Sequence, residues 1–169
     1  SLRRHMLAVE AAMRAYARRY GADEELWASV GLLHDFDYER FPDAHPQTGD
    51  RILAERGWSD EVRRAVQSHA EHTGVARESV MEKALHACDE ITGLVIAVAL
   101  VRPDRDLRQV KVSSVRKKWK DRSFAGGVDR DDIVTAVAEL GVDLDEHMGV
   151  VLGAMQESAE ALGLAGEAS

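Results

Sequence analysis

The sequence predicts an all-α protein that folds as a single domain. Apolar residues recur at helical spacing along most of the chain, and residues that typically begin or end helices separate these stretches. No segment alternates apolar and polar residues for long enough to indicate a β-strand. With 169 residues, the chain is long enough to bury one sizeable core. We therefore expect about seven or eight helices packed around that core.

Two helices are predicted at the start of the chain. Leu2 to Tyr20 carries an apolar stripe at helical spacing, and the glycine that follows it suits the end of a helix. Asp23 is the expected N-cap of the second helix, because glutamates fill its first turn, where the helix dipole favours negative charge. His34 and Asp35 lie at the polar end of the apolar run of this helix.

Two shorter helices are predicted in the middle of the chain. Residues 36–44 form an irregular, acidic connection. His45 is the expected N-cap of the next helix, since the proline after it suits a first helical turn. Ser59 opens the following helix, whose helical pattern runs up to His69.

A long helix is predicted from Ser79 to Val101. Ser79 and Glu82 have the spacing of a capping box, which marks its beginning. Its longest apolar run is shorter than the ~20 residues that cross a bilayer, so we expect a buried helix. The helix carries Asp89 beside Cys88, the single cysteine of the chain, which excludes an intramolecular disulfide and is expected to be a buried apolar residue.

The C-terminal part of the chain is also predicted to be helical, with helices from Asp129 to Leu140 and from Asp143 to Leu162. A basic segment precedes them, and it fits either a solvated amphipathic helix or a clamp for an anionic substrate. Its basic residues are Lys111, Arg116, Lys117, Lys118, Lys120 and Arg122. Within the one domain we distinguish a core of about residues 1–101 and a helical extension of about residues 104–163.

The overall charge excludes some classes of partner. The chain has 22 lysines and arginines against 30 aspartates and glutamates, for a formal net charge of −8. Because such a surface repels a nucleic-acid backbone and an anionic membrane, we expect neither duplex nucleic acid nor a membrane as a partner. Residues 1–20 lack the uninterrupted apolar core of a signal peptide, so we expect a cytoplasmic location. The sequence leaves open whether the protein forms a homo-oligomer.

Histidines and aspartates are the candidate metal-ligating residues. Imidazole nitrogens and carboxylate oxygens are ligands that borderline and hard divalent cations accept. A single His-Asp pair usually makes only a hydrogen bond. His34-Asp35 is a stronger candidate for metal binding because further histidines and aspartates occur elsewhere in the sequence. The candidates, each on or beside a predicted helix, are His5, His34, Asp35, His45, His69 and Asp89.

The order of these residues resembles the HD superfamily of metal-dependent phosphohydrolases over roughly residues 1–100. AHPQTGDRIL is similar to the His-Pro-x-x-Gly helix start of the HDIG-type branch, and AVQSHAEHTG to the next ligand helix of that branch. The resemblance implies one metal site formed by His5, His34, Asp35 and Asp89. It implies a second site at His45 and His69, with Asp35 as the bridge, and therefore one or two divalent ions per chain. The sequence does not distinguish Fe, Mn, Ni, Co, Mg or Zn.

The resemblance also implies an activity, the hydrolysis by metal-activated water of a small phosphorylated substrate such as a nucleotide or phosphomonoester. Asp35 and Asp43 are the predicted catalytic residues, the second as a general acid from the loop after the His-Asp pair, where Asp37 and Glu39 also lie. The HDIG and HD-GYP branches have Ile-Gly after His-Asp, whereas this chain has Phe-Asp-Tyr, which argues against cyclic dinucleotide hydrolysis. Two alternatives are a mixed-valent diiron oxygenase of the same fold and a non-catalytic metal-binding regulatory module.

Four further residues are candidates for supporting the ligands or contacting the substrate. His72 follows His69 by three residues and is either an exposed loop histidine or a residue that faces inward. His86 lies one helical turn before Asp89, so that it either orients a carboxylate or lies at the surface. Lys117 and Lys118 belong to the basic segment and are the candidates for binding phosphate.

Overall fold

The computed structural model describes residues 1–166, and over this range the protein is all-helical, as predicted. Three single-turn 3₁₀ helices accompany the α-helices, at Pro42–Ala44, Glu71–Thr73 and Leu107–Gln109. The described residues form eight α-helices: α1 (Leu2–Tyr20), α2 (Glu24–Leu33), α3 (Gln47–Glu55), α4 (Asp60–Ser68), α5 (Val80–Leu100), α6 (Val112–Lys120), α7 (Arg130–Leu140) and α8 (Leu144–Glu157).

Capping residues explain most of the helix boundaries. The side chain of Asp23 accepts from the first backbone N–H groups of α2, and Asp143 does the same for α8. The predicted capping box at the start of α5 is confirmed, since the Ser79 hydroxyl accepts from the Glu82 N–H and the Glu82 carboxylate accepts from the Ser79 N–H. Gly21 ends α1 with φ of 64°, in the left-handed region that glycine tolerates.

Helix α5 is the central element of the core. It packs against α1, α4, α6, α7 and α8, and its side chains are buried along most of its length. Cys88 is fully buried within it, as expected, and burial raises the pKa of its thiol. Within residues 1–166 no helix is both long enough and apolar enough to cross a membrane.

Helices α1 and α2 approach each other closely at Gly31. A Cβ atom added at Gly31 would lie 2.9 Å from the carbonyl oxygen of Val9 and 3.0 Å from the backbone of Glu10. Only glycine therefore lets α2 lie this close to α1. Because Gly31 precedes His34 by one helical turn, this contact also sets the distance between the His34 and His5 side chains.

Two boundaries differ from the sequence prediction. Helix α3 begins at Gln47 with Pro46 as its N-cap, so His45 lies outside the helix, in extended conformation after a 3₁₀ turn. Helix α8 ends at Glu157, and turns continue from there to Gly163 where a helix was expected to Leu162. After Glu157 the chain remains turned, but most of its hydrogen bonds are those of tight turns, which hydrophobic periodicity does not distinguish from an α-helix.

Candidate metal centre

The six ligand candidates come from five separate places in the chain and meet in one cluster, and four of them line a cavity. His5 lies in the first turn of α1, His34 caps the C-terminus of α2, and His69 caps the C-terminus of α4. Asp35 and His45 lie at the two ends of the connection between α2 and α3, and Asp89 lies in α5. Their ligand atoms form two groups in which all atoms lie within 4.8 Å of one another: His5, His34, Asp35 and Asp89, and then Asp35, His45 and His69.

The first group surrounds the Nε2 atom of His5. This atom lies 3.1 Å from His34 Nε2, 3.1 Å from Asp35 Oδ2 and 3.0 Å from Asp89 Oδ1. His34 Nε2 lies 3.2 Å from the same Asp89 oxygen. Two nitrogens and two carboxylate oxygens therefore face one point.

The second group faces the other oxygen of Asp35. Asp35 Oδ1 lies 3.1 Å from His45 Nε2 and 3.2 Å from His69 Nε2, and these two nitrogens are 3.1 Å apart. Each oxygen of the Asp35 carboxylate thus faces one of the two groups. This is the placement that a bridging carboxylate requires.

Contacts at the opposite ring nitrogens determine which nitrogen carries the proton. His34 Nδ1 donates to the carbonyl oxygen of Gly31 at 2.7 Å, and His69 Nδ1 donates to the carbonyl oxygen of Val66. Because a carbonyl only accepts, the proton of each neutral ring is on Nδ1 and the Nε2 lone pair points into the cluster.

The other two histidines are oriented by side chains. His45 Nδ1 lies 2.5 Å from Asp37 Oδ1, and the other oxygen of this buried carboxylate accepts from the Gly49 N–H at 2.8 Å. His5 Nδ1 lies 3.4 Å from the hydroxyl of Thr92. That hydroxyl donates to the Asp89 carbonyl at 2.8 Å, so its oxygen is left to accept from His5.

The donor set fits divalent cations. Lone pairs of neutral imidazoles repel each other and repel carboxylate oxygens at 3.0 to 3.4 Å, unless a cation lies among them. Ligand atoms about 2.1 Å from a shared ion are themselves separated by roughly 3.0 to 3.4 Å. Four imidazoles with two carboxylates are ligands that Fe, Mn, Ni, Co and Zn accept.

Burial and the mutual proximity of these groups govern their protonation. Burial opposes the ionised form of Asp35, but the four surrounding imidazoles outweigh it and lower the pKa of this carboxyl well below its usual range. Burial likewise opposes the charged form of His5, yet Asp35 and Asp89 raise its pKa to about 9. The carboxylates are therefore ionised ligands, and protons compete with metal ions for the histidines.

The remaining predicted residues lie outside the cluster. Asp43 is exposed in the 3₁₀ turn before His45 and does not border the cavity. His72 is exposed, and its Nε2 donates to the backbone carbonyl of His45 at 2.9 Å, so that it supports a ligand residue without reaching the cluster. Lys117 is exposed, and Lys118 lies 4.7 Å from the centre of the Phe124 ring.

His86 points away from Asp89. It is buried, and its Nε2 lies 2.9 Å from Asp132 Oδ1 on α7. The helical turn that separates His86 from Asp89 suggested a shared face, but the side chain packs toward α7 instead. The structure therefore gives it a role in the contact between α5 and α7.

Sequence reasoning missed several residues that line the cavity. The cavity has a volume of about 360 Å³, and the residues around it that are not ligand candidates are Tyr38, Glu90, Gly93 and Val128. Gly93 follows Asp89 by one helical turn and could have been found from helical spacing alone. Burial raises the pKa of Glu90, which accepts from the Asp129 N–H at 3.2 Å.

Arg130 holds the loop that supplies Val128. The buried guanidinium donates to the carbonyl oxygens of Trp119 at 2.9 Å, Asp121 at 3.1 Å and Phe124 at 2.6 Å. These contacts tie the end of α6 to the beginning of α7. The loop between the two helices therefore forms a fixed wall of the cavity.

An all-helical domain that brings four histidines and two aspartates into two adjoining groups is a candidate metal-binding protein. The model of the HD domain family matches residues 2–100, which include all six of these residues, and the chain belongs to the HD domain family, a superfamily of metal-dependent phosphohydrolases. Comparison with curated proteins and with solved structures gives no match. Assignment to the HDIG-type branch stays a prediction.

Proposed function

We propose that the protein is a metal-dependent phosphohydrolase that acts on a small phosphorylated substrate. The observation that supports this most directly is the convergence of four imidazole Nε2 lone pairs on the two oxygens of Asp35, at 3.1 to 3.4 Å. Two divalent ions bound there would supply an activated water and neutralise charge on the phosphoryl group. Family membership supports the same reaction class.

Contacts within the protein orient the histidine rings and Asp35 for metal binding. The Nδ1 contacts of the histidines keep their Nε2 lone pairs directed inward, so no ring has to rotate when a ligand arrives. Asp35 holds the two halves of the centre together, one carboxylate oxygen toward each. We infer that loss of Asp35 disrupts both halves at once.

A proton must also reach the leaving group. Asp43 is exposed and does not border the cavity, whereas Glu90 lines it beside Asp89. We therefore propose that Glu90, and not Asp43, is the carboxyl group that faces the leaving group. Comparison of Glu90→Gln with Asp43→Asn tests this assignment, since only the first substitution is then expected to reduce turnover strongly.

The test of the proposed function has two parts. Elemental analysis of the untagged protein, purified without chelator, gives the metal content per chain. A phosphate-release screen over small phosphoesters, with Mn, Ni, Co, Mg or Zn added, then gives the activity. Phosphate release that requires metal supports the proposal.

Other outcomes favour the alternatives. About two irons per chain together with oxygen uptake, and without phosphate release, would favour a diiron oxygenase. Metal binding without any turnover would favour a regulatory module. Either result would count against the hydrolase.

A further inference from the structure

Apart from the histidines, the charged side chains from residues 1–166 that line the cavity beside the metal centre are carboxylates. This cavity adjoins a second cavity of about 670 Å³, and His5, Asp35 and Tyr38 line both. Apart from the ligand candidates, the charged side chains are a glutamate in each cavity, Glu90 in the first and Glu39 in the second. Within residues 1–166, neither lysine nor arginine lines either cavity.

Three arginines in and after α6 are engaged elsewhere. Arg116 on α6 pairs with Asp145 at 2.8 Å, and Arg122 pairs with Asp131 at 3.1 Å. The guanidinium of Arg130 is buried among backbone carbonyls. A phosphate clamp formed by these three arginines would require these contacts to break.

The charge of the centre therefore limits the charge of its substrate. The carboxylates of Asp35 and Asp89 offset half of the charge of two divalent ions, and one phosphoryl dianion neutralises the rest. A second or third phosphoryl group would add negative charge near Glu39, and neither lysine nor arginine from residues 1–166 lines the cavities to compensate it. Juxtaposed like charges disfavour binding strongly.

The rest of the lining suits an uncharged group. The ring of Tyr38 is half exposed and stands edge-on to the His45 ring, with 5.3 Å between the ring centres. Gly93 and Val128 complete the wall, and a Cβ atom added at Gly93 would lie 3.5 Å from the Val128 side chain. The space beside the metal centre therefore admits a small organic group against one aromatic ring and one aliphatic side chain.

We infer that the site selects substrates with a single phosphoryl group on an uncharged or cationic organic portion, and that it discriminates against diphosphates and triphosphates. This inference rests on the proposed function, since it assigns the substrate class of the same centre. Glu39 is the residue that sets the selectivity, and Tyr38 contacts the organic portion.

The test is a binding measurement that does not depend on turnover. Methylphosphonate and methylenediphosphonate resist hydrolysis and differ by one phosphonate group, and their affinities for the metal-loaded protein are measured by calorimetry with metal content checked afterwards. We expect methylphosphonate to bind at least about tenfold more tightly. Glu39→Gln should reduce this ratio. Glu55→Gln, which removes an exposed glutamate of α3, should leave it unchanged.

The inference is overturned if methylenediphosphonate binds as tightly as methylphosphonate, if neither binds, or if Glu39→Gln leaves the ratio unchanged. The proposed function is decided separately. Hydrolysis of a diphosphate as fast as the monophosphate of the same alcohol would refute the selectivity and leave the hydrolase intact. Failure to hydrolyse any phosphoester would refute the hydrolase whatever the binding ratio.

Discussion

Asp37 supports one half of the metal centre without belonging to it. Its carboxylate is buried and joins two partners, with one oxygen 2.5 Å from His45 Nδ1 and the other accepting from the Gly49 N–H at 2.8 Å. Both partners are donors when His45 presents its Nε2 lone pair to the centre. Only a group with two accepting ends satisfies both.

Asp37→Asn keeps the shape of the side chain and removes one of those accepting ends. If the amide oxygen accepts from Gly49, the amide N–H₂ faces His45 Nδ1 and favours the tautomer whose proton is on Nε2, where the metal should bind. If the amide is turned over, its N–H₂ faces the Gly49 N–H. Loss of such an outer partner typically reduces metal affinity about 10- to 100-fold, which is about 1.4 to 2.7 kcal/mol.

The measurement is a chelator competition for Mn²⁺ or Zn²⁺, with elemental analysis of the protein. We expect Asp37→Asn to weaken the half of the centre formed by His45 and His69, and to leave the ion held by His5 and its partners nearly as tightly bound. Asp60→Asn, which alters an exposed carboxylate at the start of α4, is the matched control. If each half of the centre binds metal as tightly in Asp37→Asn as in the wild type, the assigned tautomer of His45 is refuted.

Three further predictions concern the centre and the core. Asp35→Ala should abolish metal binding and activity together, because both halves of the centre lose an oxygen. Activity retained in this variant would refute the site assignment. Gly31→Ala should lower the free energy of unfolding by about 1–3 kcal/mol, since its Cβ atom would lie 2.9 Å from the Val9 carbonyl oxygen. Gly149→Ala in α8 meets open space and should instead stabilise by up to about 1 kcal/mol, so a urea titration that gave both variants the same sign would contradict the packing argument. Burial lowers the pKa of His147 to about 4, below the value of about 6.5 in the unfolded chain, so the unfolded state binds this proton more readily. The stability associated with neutral His147 should be complete above pH 6.5 and decline as the pH falls toward 4, by about 3 kcal/mol in total. His147→Gln should remove this part of the pH dependence, and identical slopes in the two proteins would show that His147 is not its source.

Local signals predicted the helices well. Asp23, Ser59, Ser79 and Asp143 cap helices as expected, because capping depends only on the few residues that follow each of them. The connection before α3 was harder to predict. It contains a 3₁₀ turn and places His45 outside the helix, and neither feature has a periodic signal in so short a segment.

The six ligand candidates were identified from their order in the chain, and the structure brings all of them together. The residues that complete the cavity were not identified in this way. Val128 reaches it from the loop after α6, and that loop is positioned by the contacts of Arg130 with distant carbonyls. Such contacts join elements far apart in the chain, and helical spacing carries no information about them. His86 illustrates the same limit, since its direction toward Asp132 depends on how α7 packs against α5.

The ends of α2 and α4 explain why this cavity suits cations. His34 and His69 each occupy the C-cap of a helix, and each ring donates from Nδ1 to the carbonyl three residues earlier. The last carbonyls of a helix lack backbone N–H partners and carry the negative end of the helix dipole, so each ring N–H stabilises its own helix end while its Nε2 faces the centre. A phosphate site on a helix N-terminus has the opposite polarity. These two helices present their C-termini, and the lining of both cavities includes neither lysine nor arginine from residues 1–166. The positive charge that attracts the proposed phosphorylated substrate would therefore have to come from metal ions bound at the centre.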